Sequence, residues 1–135
     1  MAEYLRPATL NSALDALDGT PWSVLAGGTD FYPARVDRAL DEDVLDISAV
    51  RELRQIEARA DRWRLGALTT WSDIIRADLP PMFDGLKLAA REVGGAQIQN
   101  MGTLGGNLCN ASPAADGVPP LLSLGASVEL SSAKG

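Results

Sequence analysis

The sequence predicts a mixed α/β protein of the α+β kind, built from two small lobes. Short apolar runs with strand character alternate along the chain with segments whose apolar residues recur at helical spacing. Two glycine pairs, Gly27-Gly28 and Gly105-Gly106, follow strand-like segments, which indicates two ligand-facing turns. With 135 residues, 46% of them hydrophobic, the chain is long enough for one domain, or for one and part of a second.

The beginning of the chain predicts a helix followed by a strand. Thr9 is a suitable N-cap for a helix over residues 10–17, and Gly19 is a suitable stop. Ser23-Val24-Leu25-Ala26 then reads as a short buried strand that runs into Gly27. The strand therefore delivers the chain directly to the first glycine pair.

A second strand completes a unit of βαβ size. Apolar residues at Phe31, Ala34 and Val36 predict a short helix, and Val44-Leu45-Asp46-Ile47 predicts a strand. The charged residues 37–43 between them are expected to form a solvated connection. We place a lobe boundary just after this strand, so that residues 1–49 form the first lobe and residues 50–135 the second.

The second lobe is predicted to open with a turn and a hairpin. Ser48 is expected to cap a turn through Val50 and Leu53. The segments Gln55–Ala58 and Trp63–Ala67 alternate as hairpin strands do, and Thr70 begins a helix. That helix carries Trp71, Ile74 and Ile75.

A longer helix follows the Pro80-Pro81 pair and ends at Gly94-Gly95. Its apolar stripe is formed by Met82, Phe83, Leu86, Ala89, Ala90 and Val93. Near the end of the chain, a helix to about residue 124 and a strand over Ser127–Leu130 are expected.

The run Gly102–Asp116 is the most informative stretch of the sequence. Its glycines permit positive φ and close approach, and its short polar side chains can donate and accept hydrogen bonds. Successive N–H groups in such a run form an anion-binding nest, and Pro113 suits the first position of a helix. The alternative is a tight strand-to-helix turn with local caps, which would explain any one of these residues but not so many together.

Composition excludes several classes of function. The net charge of −6 argues against binding to nucleic acid or to an anionic membrane, and no apolar window is long enough for a membrane span. Without a leader-like start, we expect a cytoplasmic protein. The lack of histidine removes histidine-based catalysis and histidyl-linked flavin, and the single Cys109 cannot hold an iron–sulfur cluster or a disulfide.

Neither glycine-rich segment matches a Walker or G-x-G-x-x-G motif, but the two together match the pattern of another family. The sequence resembles the FAD-binding, or medium, subunit of molybdenum-containing hydroxylases, the carbon monoxide dehydrogenase and xanthine dehydrogenase group. The resemblance runs in order across nearly the whole chain. The segments that carry it are Leu25–Asp30, Gly66–Thr70, Arg91–Gly94 and Gly102–Leu122.

The resemblance implies a two-lobed FAD-binding fold in which two Gly-Gly loops hold the pyrophosphate of a non-covalent FAD. It also implies partner chains: a large subunit with the molybdenum cofactor and a small subunit with 2Fe-2S clusters. The implied cofactor-binding residues are Ala26, Gly27, Gly28, Thr29 and Asp30 in the first loop, Thr103, Leu104, Gly105, Gly106 and Asn107 in the second, and Ser112 and Asp116 near the ribityl or phosphate region.

Subunits of this family continue well beyond 135 residues, so we expect the second lobe to be truncated. Such a chain should bind FAD weakly, be inactive alone and self-associate through an unpaired strand edge near Val128. Cys109 is expected to be a small buried residue, and the tryptophans to be core or interface residues. We see no catalytic side chain and no metal ligand set.

Two other functions stay open at the level of sequence. One is a shortened, cofactor-free domain that serves as an assembly module. The other is a flavoprotein oxidoreductase that acts alone, which the lack of histidine disfavours. Flavin colour on purification separates the assembly module from both flavoproteins.

Overall fold

The computed structural model describes residues 3–27, 42–110 and 117–135. Its first part contains a parallel sheet in the strand order β1-β3-β2. These strands are β1 (Tyr4–Leu5), β2 (Ser23–Leu25) and β3 (Val44–Asp46). The central strand β3 is buried along its length, because it has a neighbour on each side. The predicted strands at β2 and β3 are confirmed, whereas β1 is too short for a periodic pattern to reveal.

Helix α1 (Leu10–Leu17) begins and ends as its sequence predicts. The side chain of Thr9 accepts a hydrogen bond from the Ser12 N–H, and Gly19 follows the helix at a φ of 73°. The buried Ala13 of this helix packs with Val50 and Leu68. The helix therefore packs against residues that follow the sheet in sequence.

The antiparallel hairpin of β4 (Ile56–Ala58) and β5 (Trp63–Leu65) is also confirmed. It leads into helix α2 (Trp71–Arg76), where Thr70 and Asp73 form a reciprocal capping box. Arg54 reinforces this start from before the hairpin, because its Nε and Nη2 lie 2.9 and 3.0 Å from the Asp73 carboxylate oxygens. These hydrogen bonds, ahead of those from Thr70, outweigh burial and lower the pKa of Asp73.

Three of the four remaining described helices contribute side chains to the apolar cluster that contains the buried Trp71. The four are α3 (Asp84–Glu92), α4 (Ala96–Met101), α5 (Leu104–Asn110) and α6 (Val118–Ser123). The predicted long helix is confirmed as a 3-10 turn over Pro81–Phe83 that continues into α3. Its stripe buries Phe83, Leu86 and Ala90, whereas Met82 is 60% exposed. Helix α4 was not predicted.

Two expectations about strand formation and capping are wrong. Residues 127–130 do not form a strand, since no described segment pairs with them, and Val128 and Leu130 are exposed. Ser48 does not cap the next turn; its N–H donates to Asp46 Oδ1 instead. Asp43, at the end of the predicted solvated connection, accepts an exposed hydrogen bond from the Glu3 N–H at 2.9 Å.

Some predictions lie beyond these observations. The helix expected near Phe31, Ala34 and Val36 lies outside the described residues, as does Pro113. The division into lobes 1–49 and 50–135 stays a prediction. Within the described ranges, every helix is too short or too polar to cross a lipid bilayer.

Candidate functional site

The first glycine segment lies at the carboxyl end of the parallel sheet. Ala26 and Gly27 directly follow β2, and both are half-buried. No described residue accepts a hydrogen bond from either N–H group. Within the described residues these two main-chain donors are unused, and the carboxyl ends of parallel strands are frequent ligand sites. The other predicted residues of this loop, Gly28, Thr29 and Asp30, lie outside the described residues.

Gly27 packs closely against the segment that leads into the second glycine pair. A methyl group built on its Cα would lie 2.1 Å from the Met101 carbonyl oxygen and 3.3 Å from Gly102 Cα. Such approach is available only to glycine. The structure thus brings Ala26 and Gly27 next to Met101 and Gly102, two stretches that are far apart in the sequence.

The second glycine pair begins a helix rather than a left-handed turn. Gly105 and Gly106 lie in the first turn of α5, and neither they nor Gly102 is among the described glycines with positive φ. These glycines therefore do not use the positive φ that they permit. Thr103 provides the physical reason, because its Oγ1 and its carbonyl accept from the N–H groups of Gly106 and Asn107, both at 3.0 Å, and so cap the helix.

The other two N–H groups at this helix start are also bonded within the protein. Leu104 donates to the Thr69 carbonyl at 2.9 Å, and Gly105 donates to the Ala67 carbonyl at 2.8 Å. Helix α5 thus begins in contact with Gly66–Thr70, one of the segments that carry the family resemblance. A β-bridge between Thr70 and Thr103 continues this contact. In this conformation the main chain of residues 104–107 has no spare donor.

The two adjacent glycines have different surroundings. A Cβ on Gly105 would lie 2.8 Å from the Ala67 Cβ, so packing alone requires glycine there. Among the described residues, a Cβ on Gly106 would meet only the Thr103 Oγ1, at 3.0 Å, within 4 Å. Next to the described residues, Gly106 therefore has room for a Cβ-sized group that Gly105 lacks.

Asn107 is the polar side chain of this helix start. Its Oδ1 accepts a hydrogen bond from the Gly117 N–H at 3.2 Å, and its amide nitrogen donates to no described residue. Ser112 and Asp116 lie outside the described residues. Cys109 is exposed, so its predicted burial is wrong. It lies about 140° around the helix from Leu104, the residue through which α5 enters the core.

A buried carboxylate, which the sequence did not predict, lies at the same end of the parallel sheet as Gly27. Asp46 ends β3 beside Leu25 and is only 7% exposed. Burial alone would raise the pKa of its carboxyl, but hydrogen bonds from Ser48 and Tyr4 and the charge of Arg6 outweigh burial and lower that pKa. Asp46 is therefore ionised at neutral pH, and its hydrogen bonds stabilise this end of the sheet.

Other kinds of site find little support in the described part of the chain. No three histidine, cysteine, aspartate or glutamate side chains there approach closely enough to hold a metal ion. A cavity of about 200 Å³ lies between the end of α1 and residues 131–134, and its lining includes none of the predicted cofactor residues. The two glycine segments are therefore the candidate site.

Comparisons with known proteins identify what this arrangement is similar to. The family model described as the FAD binding domain in molybdopterin dehydrogenase matches residues 1–135. The chain is 37% identical over 142 residues to a nicotinate dehydrogenase FAD-subunit from Eubacterium barkeri, covering 98% of this chain and 47% of that protein. It is 35% identical over 139 residues to a xanthine dehydrogenase FAD-binding subunit from Escherichia coli O157:H7, covering 99% and 47%.

Solved structures show the same similarity in three dimensions. A structure of reconstituted CO dehydrogenase from Oligotropha carboxidovorans matches with a TM-score of 0.78 at 27% identity. The match covers 87% of this chain and 42% of that chain. The chain spans less than half the length of the curated relatives it matches.

Proposed function

This chain belongs to the family of FAD-binding domains in molybdopterin dehydrogenases, and on that premise we propose that it binds FAD non-covalently within an electron-transferring medium subunit. The observation that carries the proposal is the meeting of Gly27 with Met101 and Gly102. This contact supports the proposal because Gly27 belongs to the first predicted loop and Met101 and Gly102 directly precede the second, about 75 residues later in the sequence.

The described residues fit a pyrophosphate from two sides. On one side, the N–H groups of Ala26 and Gly27 have no described acceptor and are the donors that an oxygen-rich anion requires. On the other side, Gly106 permits close approach and the Asn107 amide can donate. Each side thus contributes differently, the first through the main chain and the second through space and a side chain.

We assign the rest of the site by resemblance to the family. Gly28, Thr29 and Asp30 extend the first loop, and Thr103, Leu104 and Gly105 shape the second. Ser112 and Asp116 are assigned to the ribityl or phosphate region. The anionic Asp116 should prefer hydroxyl donors of the ribityl chain to phosphate oxygens.

The task of these residues is to bind and orient FAD, since FAD supplies the redox chemistry when it is bound. The described carboxyls with altered titration, Asp46 and Asp73, both have a lowered pKa and are ionised at neutral pH, so neither suits proton donation. The absence of histidine from the sequence excludes a histidyl link to the flavin. In our proposal the chain binds and orients FAD, and the redox chemistry belongs to the cofactor.

We also propose that the whole protein works with partner chains. Relatives are named as the FAD-binding subunit of a xanthine dehydrogenase and the medium chain of a carbon monoxide dehydrogenase, which supports a multi-subunit oxidoreductase. In our proposal a large subunit carries the molybdenum cofactor and a small subunit carries 2Fe-2S clusters. Electrons pass from those clusters to this flavin and on to an external acceptor.

Purification of the intact complex tests this function. We expect flavin absorbance that acid precipitation releases into the supernatant as FAD, together with co-purifying molybdenum and iron–sulfur subunits. A colourless protein that binds no added FAD would support the assembly module instead. A yellow protein that reduces its acceptor without partner chains would support a stand-alone flavoprotein.

A substitution of Asp116 tests whether this residue has only a binding role. Asp116→Asn should weaken FAD binding but leave the turnover of flavin-saturated complex within about tenfold, since a group that only binds the cofactor contributes little to the chemical step once FAD is saturating. Steady-state kinetics at saturating FAD measure this. A loss of several orders of magnitude would give Asp116 a chemical role and contradict the proposal.

A further inference from the structure

Trp71 makes contacts that its place in the core does not by itself explain. It is 1% exposed and packs with Ile74, Phe83 and Leu86 in the main apolar cluster. Its backbone N–H also donates to the Gly102 carbonyl at 3.3 Å. The residue thus joins the core of α2 and α3 to the chain just before α5.

The two edges of its indole face two different glycines. A methyl group built on Gly102 would lie 3.3 Å from Trp71 Cδ1 and 3.4 Å from Nε1, on the pyrrole edge. A methyl group built on Gly117 would lie 2.9 Å from Cη2 and 3.6 Å from Cζ2, on the benzo edge. One rigid side chain therefore spans the distance between Gly102 and Gly117.

Gly102 directly precedes the second predicted loop, Thr103–Asn107, and Gly117 contacts the end of that loop. The proposed cofactor residue Asn107 takes part in the same contact, because a methyl group on Gly117 would also lie 3.0 Å from Asn107 Oδ1. Trp71 and Asn107 therefore both lie close to Gly117, and a change in the size of residue 71 is expected to shift Gly117 relative to Asn107. Trp71 itself has no need to touch the ligand.

We propose that Trp71 is a positioning residue of the flavin site, whose indole sets the separation of Gly102 and Gly117 and so positions Asn107, whose Oδ1 accepts from the Gly117 N–H. This inference rests on the proposed FAD binding. It predicts that shortening the indole loosens the site, and that a compensating methyl group on the opposite side of the contact restores it.

A size-swap experiment tests the inference in the full chain, with FAD affinity measured by fluorescence titration and the melting temperature of the ligand-free protein measured in parallel. Trp71→Phe removes the benzo edge, and Gly117→Ala adds a methyl group where that edge lies. We expect each single variant to weaken FAD binding about tenfold or more. The double variant should bind FAD more tightly than either single variant, because the methyl group occupies the vacated space.

Trp63→Phe is the matched control. Trp63 packs edge-on against Phe83, with ring centroids 5.5 Å apart, and belongs to the same apolar cluster. Its substitution should lower the melting temperature yet leave FAD affinity within about twofold. A general loss of core packing would affect both tryptophan variants alike.

Three outcomes overturn the inference: unchanged affinity in Trp71→Phe, purely additive losses in the double variant, or an equal loss in Trp63→Phe. If Trp71→Phe does not fold, Gly117→Ala alone decides, since undiminished FAD binding by that variant contradicts a spacing role. A wild-type chain that binds no FAD refutes the proposed function itself. Wild-type binding with an unaffected Trp71→Phe refutes only the positioning role.

Discussion

The two glycine segments look alike in the sequence but differ in the structure. Ala26 and Gly27 end a parallel strand, and their N–H groups have no described acceptor. Leu104, Gly105 and Gly106 begin a helix, and their N–H groups are bonded to Thr69, Ala67 and Thr103. A Gly-Gly pair can therefore serve close packing, ligand approach or main-chain donation, and only the neighbours of each glycine decide which.

The largest expected effect comes from filling the contact between the segments. In Gly27→Ala the new methyl group would lie 2.1 Å from the Met101 carbonyl oxygen, so the backbone must move. We expect a loss of about 1–3 kcal/mol in the free energy of unfolding, with loss of FAD binding. Urea denaturation and FAD titration measure the two effects.

Gly85→Ala is the control for this substitution. Gly85 lies in α3 with nothing within 4 Å of an added Cβ, so alanine should stabilise the protein by up to about 1 kcal/mol and leave FAD binding unchanged. If Gly27→Ala behaved like Gly85→Ala, the close contact between the two segments would be refuted.

The next effect separates the neighbouring glycines of α5. Gly105→Ala should cost about 1–3 kcal/mol of stability, because its methyl group would meet Ala67 at 2.8 Å. Gly106→Ala should be nearly neutral in stability, since only Thr103 Oγ1 is close. The bulkier Gly106→Val should remove flavin while the far-UV circular dichroism stays near normal. A folded Gly106→Val protein with stoichiometric FAD would contradict the assignment of Gly106 to the ligand side.

Local signals predicted much of this fold. Thr9 and Thr70 were identified as caps, since a cap and the apolar spacing that follows it are both local in sequence. The helical start of α5 was missed, because its two stabilising carbonyls come from Ala67 and Thr69, far away in the chain. The strand expected at 127–130 failed for a related reason, as a strand needs a partner that its own sequence does not specify.

A moderate effect should distinguish how the two segments are anchored. The end of the sheet beside Gly27 is stabilised by the ionised Asp46, whose pKa is lowered in the folded protein. Its contribution to stability is therefore full above the unfolded pKa of about 4 and is lost as the pH falls through the lower folded pKa. The start of α5 is held instead by hydrogen bonds to the Ala67 and Thr69 carbonyls, which join uncharged main-chain groups. Lowering the pH should therefore weaken the hydrogen bonds of Asp46 but not those at the start of α5.

Asp46→Asn tests this difference. At pH 7 the variant should melt below the wild type, by an amount equivalent to about 1–3 kcal/mol for a hydrogen-bonded charge. The two melting temperatures should converge as the pH is lowered from about 5 toward 2. A gap that stayed constant over that range would show that the charge of Asp46 is not what stabilises this end of the sheet.

The smallest effect is expected on the outer side of α5. Cys109 is exposed, so Cys109→Ser should change neither the melting temperature nor the FAD affinity beyond experimental error. The wild-type protein should also release all of its flavin on acid precipitation. Flavin retained by precipitated wild type but lost from Cys109→Ser would reveal a cysteinyl link and contradict non-covalent binding.

The central claim is that the two glycine segments hold the pyrophosphate of FAD, and a competition titration tests it most directly. The chain is titrated with FAD by flavin fluorescence, alone and in the presence of ADP or riboflavin. The account predicts saturable FAD binding that ADP displaces and riboflavin does not, because only ADP carries the pyrophosphate. Displacement by riboflavin but not by ADP, or no saturable binding at all, would contradict it.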